Sequence, residues 1–103
     1  MLFRRPYADT ISRQLDLFAE ESAGLLADCE QAAEAYERAP RDEAEEAYGD
    51  YMDRVEWAAE ELTALRDTYA RTLDESAADA YVAAFDRAAA RRFPRLGDAV
   101  RRS

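Results

Sequence analysis

Along the first third of the chain, apolar and small residues recur at Ile11, Leu15, Phe18, Ser22, Leu25, Cys29, Ala32 and Tyr36, in steps that alternate between four and three. The same alternation returns at Ala44, Tyr48, Tyr51, Val55, Ala58, Leu62, Leu65, Tyr69 and Thr72. A helix keeps such positions on one narrow stripe, and a sustained 4–3 repeat favours left-handed, coiled-coil-like packing. A strand would alternate at every second residue, which neither segment does. The pattern predicts two long helices, over about residues 7–38 and about residues 42–72.

The segment between them, "ERAPRDEAEE", supplies the break. Pro40 disfavours helix at the residue before it. Asp42, with Glu45 three positions on, has the spacing of an N-cap and its capping-box partner. A short break between two striped helices predicts an antiparallel hairpin. Folded at that point, Leu25 faces Ala58, Ser22 faces Leu62 and Ala32 faces Tyr51, so large side chains oppose small ones and the seam fills without voids.

A third segment, about residues 76–93, has Asp74 or Ser76 as its N-cap and an apolar face of Ala78, Tyr81, Val82, Phe85, Ala89 and Phe93. A second stripe on helix 2 (Met52, Val55, Ala59, Leu62 and Leu73) offers it a seat. The expected fold is all-α and a single domain over 1–103: a long antiparallel hairpin plus a shorter third helix, packed as a three-helix up-down-up bundle. A basic C-terminal tail, 94–103, follows, and Pro94 suits the first turn of a short helix within it. Helices 1 and 2 would run about 45 Å and helix 3 about 27 Å. The Pro40 tip is then left to two helices, with Tyr36, Tyr48 and Tyr51 open to the tail, a second copy or another protein.

Composition agrees with a helical domain. Nearly half the residues are apolar, glycine and proline number three each, and alanine, glutamate, arginine and leucine favour helix. The net charge is −9, with no histidine, and every basic residue is arginine. An acidic surface disfavours general nucleic-acid or membrane binding. One cysteine, Cys29, permits no internal disulfide, which suits a reducing compartment. No run is apolar enough to span a membrane, and the first residues lack the apolar core of a secretory signal. These features point to a cytoplasmic protein.

Charge is segregated. Residues 14–86 carry five arginines against 21 acids, whereas residues 87–103 carry six arginines against Asp98 alone. The basic positions of the tail region are Arg91, Arg92, Arg95, Arg101 and Arg102. They are expected to lie against the acidic hairpin, and arginines near a helix C-terminus suit its dipole. With Phe93 as the only interleaved aromatic residue, a nucleic-acid tail is the less favoured use.

The carboxylates of "EAYE" and "DYMD", Glu34, Glu37, Asp50 and Asp53, lie three apart on the two hairpin helices. They resemble the paired ExxE and ExxD motifs of the all-α nucleoside-triphosphate pyrophosphohydrolases, with Asp50 where that family has glutamate. The resemblance implies Mg²⁺ held between helices. On a helical wheel, however, Glu34 and Asp53 lie opposite their stripes, and a shared ion needs convergent oxygens at about 2.1 Å. They are therefore expected to be a solvated face. Without histidine there is no imidazole base and no usual zinc site. No glycine-rich phosphate loop exists, and no acid falls on either main stripe. No catalytic, cofactor-binding or metal-binding residue is assigned.

Cys29, on the first stripe, is expected to behave as a small core hydrophobe. Trp57 falls off both stripes of helix 2, either as a contact residue or beneath helix 3. Gly24 and Gly49 are also off-stripe, and Gly24 shares a face with Leu17 where a further helix has room to approach. The functional expectation is a non-enzymatic helical protein–protein interaction module that self-associates, as a homodimer, through the tip (Tyr36, Tyr48, Tyr51) or the Trp57 face. The alternatives are an acidic adaptor or antitoxin-like regulator docking on a basic partner, and a carboxylate–Mg²⁺ enzyme similar to the pyrophosphohydrolases.

Overall fold

A computed structural model describes residues 6–103, and among the described residues every regular element is helical. Helices α1 (Ala8–Glu21), α2 (Ala23–Arg38), α3 (Ala44–Ala70) and α4 (Glu75–Arg92) are followed by a 3₁₀ turn (Pro94–Leu96) and α5 (Gly97–Arg102).

The fold is all-α, but five helices replace the three expected. The single first helix expected over 7–38 is divided at Ser22, whose backbone leaves the helical range at φ −111°, ψ 24°. The hydrogen-bond ladder bends there without being lost: Ser22 N–H donates to Phe18 O at 2.8 Å, and Leu26 N–H to Ser22 O at 3.0 Å. Serine with glycine two residues on is a local cause of helix kinks. The bend lets α1 run beside α4, in the same direction. The Tyr7 ring meets Tyr81 edge-on at 5.6 Å and Phe18 meets Phe93 at 5.4 Å. A straight first helix would have zipped along helix 2 throughout. The bend instead spends its N-terminal half on α4, so the up-down-up three-helix bundle gives way to an α2–α3 hairpin whose base is wrapped by α1, α4 and α5.

Helices α2 and α3 form the most extensive pairing in the molecule. Their loop closes with Glu43 N–H donating to Pro40 O at 2.9 Å. The expected Asp42–Glu45 capping box is absent: Glu43 occupies the N-cap and no side chain caps the helix. Glu45 and Glu46 in the first turn complement the positive end of the helix dipole instead. At α4 the cap is Asp74, whose carboxylate accepts from Ala77 N–H at 2.9 Å.

The core lies at the hairpin's base. Its largest fully enclosed side chains are Tyr81, Phe85, Leu62, Leu96 and Val100. Two of these belong to the expected tail, which is therefore a packed element: Leu96, Ala99 and Val100 are buried against α3 and α4. Proline opens its 3₁₀ turn where a missing N–H costs nothing. Gly97 sits so close to α4 that a β-carbon there would lie 3.1 Å from Ala90 Cβ. Toward the Pro40 end, by contrast, no residue from 34 to 54 is buried. The molecule is accordingly elongated, 54 × 27 × 23 Å.

Candidate interaction surfaces

Two aromatic surfaces stand in solvent on the hairpin. Tyr36 on α2 and Tyr48 on α3 touch at 5.2 Å between ring centroids, and Tyr48 and Tyr51 at 6.5 Å. Tyr36 and Tyr48 remain 39% and 47% exposed, while Tyr51 is half-buried. The C-terminal segment reaches only Tyr51. There Arg95 sits 5.9 Å from the ring and donates to the hydroxyl at 3.5 Å. Its other bonds go to the Glu30 carboxylate on α2, the shorter at 2.8 Å. The Glu30 bond, then the Tyr51 bond, hold the Arg95 guanidinium above its ordinary pKa.

Trp57 is 60% exposed, the most open of the large apolar side chains described. Helix α4 does not cover it. It lies nine residues from Tyr48, about half a turn round α3, so the two surfaces face opposite ways. Asp53, Glu60 and Glu61, one turn to either side of Trp57, are all exposed.

The four carboxylates of the pyrophosphohydrolase-like spacing, Glu34, Glu37, Asp50 and Asp53, are exposed. Among the described residues no group of three or more potential ligands has the geometry to hold a metal ion. Cys29 is buried, and burial first, then the neighbouring Asp28 and Glu30, pushes its thiol above the usual range. That is the environment of an unreactive thiol. Gly24 and Gly49 have open space where a β-carbon would stand, so no helix approaches the Leu17–Gly24 face. Of the basic positions, Arg92 pairs with Asp16 at 2.6 Å and Arg95 with Glu30, whereas Arg91, Arg101 and Arg102 are exposed without a salt bridge among the described residues.

Arg66 escaped the reading of the stripes. It is 5% exposed, donates to Asp86 on α4 at 2.9 Å and to Asp67 at 2.8 Å, and reaches the Val100 and Ser103 carbonyls at 3.4 and 3.5 Å. A cation thus meets the final carbonyls of α5, where the helix dipole is negative. Burial pulls its pKa down, but the bonds to Asp67 and Asp86 outweigh that and leave it raised. The signal was present in the sequence: Arg66 falls in the 4–3 register of Ala59, Leu62 and Leu73, the second stripe.

No described helix is long and apolar enough to cross a membrane. No protein-family model matches the chain, and no curated protein or solved structure was found to match it.

Proposed function

We propose that this chain is a non-enzymatic helical interaction module that self-associates as a homodimer through the aromatic surfaces of its hairpin. The observation that carries this reading is Trp57, 60% exposed on the 27-residue helix α3. Tryptophan and tyrosine bring large contact area at low entropic cost and dominate interface hot spots. The Tyr36–Tyr48 pair adds a second such surface, on a part of the hairpin where no residue is fully buried. The 4–3 stripes support coiled-coil-like packing along α2 and α3, and a lone buried cysteine fits a reducing, cytoplasmic setting. Sedimentation velocity across the micromolar range tests the reading. The expected result is a mass that rises with concentration, and a rise weakened by Trp57→Ala or Tyr48→Ala with no loss of thermal stability. A monomer at every concentration overturns it.

A second reading, an acidic adaptor or antitoxin-like regulator that docks on a basic partner, is favoured by the hairpin tip. Residues 34–54 carry eight acids against three arginines, and none of them is fully buried. It predicts association with a basic protein that weakens steeply with salt, and salt-independent binding overturns it.

A further inference from the structure

On the side of the molecule formed by α1 and α4 lies an open groove of about 380 Å³. Its floor is apolar, with Ile11 and Leu15 from α1 and Ala84 and Ala88 from α4. Arg87, Arg91 and Arg92 line its edge, three guanidiniums on a protein of net charge −9. Arg92 is held by Asp16, a pair open to solvent on both sides. Arg87 and Arg91 form no salt bridge among the described residues. They stand one turn apart along α4, which places their charges about 6 Å apart along the groove.

The Trp57 face of α3 has the opposite make-up at the same spacing. One large apolar ring projects between Asp53, one turn before it, and Glu60 and Glu61, one turn after it. None of these carboxylates has a salt-bridge partner among the described residues. From Asp53 to Glu61 is eight residues, about 12 Å of helix, and from Ala84 to Arg92 on the groove wall is again about 12 Å. An apolar recess with three arginines and an apolar projection with three carboxylates are complementary in sign and matched in length.

We infer that the α1–α4 groove of one copy receives the Trp57 face of a second copy, with the Trp57 ring over the Ile11–Leu15–Ala84–Ala88 floor and Asp53, Glu60 and Glu61 against Arg87, Arg91 and Arg92. This deepens the self-association reading and rests on it. The contact joins unlike surfaces, so a closed homodimer forms it twice, the groove of each copy taking the tryptophan face of the other. Opposite charges at the edge fix orientation and speed association, while the desolvated ring supplies the affinity.

Two charge-reversed proteins test it: Arg87→Glu/Arg91→Glu in the groove and Glu60→Arg/Glu61→Arg on the tryptophan face. All four positions are exposed, so circular dichroism should show both variants as helical as wild type. The expected result is that each variant alone is monomeric in sedimentation velocity where wild type associates, and that their equimolar mixture associates again, because each then meets a surface of opposite sign. Trp57 is the only tryptophan, so its emission should move to the blue in wild type and in the mixture but not in either variant alone. Variants that associate like wild type, or a mixture that stays monomeric, overturn the contact. Loss in the groove variant with none in the face variant also overturns it, since another surface of the second copy then fills the groove. A wild type monomeric throughout sinks the self-association reading itself. A wild type that associates and loses this only with Tyr48→Ala keeps that reading and rejects the groove.

Discussion

Replacing Arg66 with methionine keeps most of the side chain's length and volume while removing its charge, which isolates the electrostatic tie between α3, α4 and α5. The Asp67 bond is made to a half-exposed carboxylate, and such surface pairs contribute about 0–1 kcal/mol. The Asp86 bond is different: its two side chains are 6% and 19% exposed and meet at 2.9 Å. A hydrogen bond to a charged partner contributes about 1.5–3 kcal/mol, and a carboxylate stranded under cover adds its own desolvation cost. The Val100 and Ser103 carbonyls, at 3.4 and 3.5 Å, lie at the edge of bonding distance and add little. Together the loss is about 3–4 kcal/mol, within the range for breaking a buried pair from one side. For a domain of this size that lowers the melting temperature by about 15 °C. Urea denaturation followed by far-UV circular dichroism measures it. The double variant Arg66→Met/Asp86→Leu should recover most of the loss, because well-packed apolar residues replace a buried ion pair at little cost. An Arg66→Met midpoint indistinguishable from wild type, or a double variant weaker than the single, would refute the reasoning.

The glycines should respond with opposite signs. Gly24→Ala and Gly49→Ala meet open space inside helices and should each stabilise by about 0.5–1 kcal/mol, whereas Gly97→Ala must push against Ala90 at 3.1 Å and should lower the midpoint. Leu96→Ala, at a position 1% exposed, should cost about 2–5 kcal/mol; a loss under about 0.5 kcal/mol, typical of surface sites, would show that the C-terminal segment is not core. Tyr81 is fully enclosed and donates to Gln14 Oε1 at 2.7 Å, and burial pushes its phenol up to about 12 from the ordinary 10. Because the folded pKa lies above the unfolded one, the stabilisation is complete below pH 10 and is lost as pH rises from 10 toward 12. Tyr81→Phe should flatten that fall in the urea midpoint, and parallel pH profiles for the two proteins would exclude Tyr81 as its cause.

What the sequence determined by itself is the helical class, the position of the hairpin bend at Pro40, the third helical segment with Asp74 as one of two possible caps, and the thin cover over the hairpin tip at Tyr36 and Tyr48. These follow from local rules: periodicity, proline's missing donor, and the preference of aspartate for an N-cap. The tertiary structure decided the rest. Ser22 lies in perfect register with its neighbours, so periodicity could not show that the helix bends there; the Ser22–Gly24 pair permits the bend, and the surface of α4 gives α1 a reason to leave the stripe. Leu96, Ala99 and Val100 are too few and too closely set among arginines to show a face of their own, yet two helices converge to bury them. The register of Arg66 placed it on the second stripe of α3, but its partners, Asp86 and the end of α5, come from 20 and 34 residues away and only the tertiary structure names them. The α1–α4 groove likewise exists only once two segments distant in the chain lie side by side. Local hydrogen bonding is encoded within a turn or two of helix, whereas burial is a property of whatever else reaches the same place, and a single stripe of residues does not say what that will be.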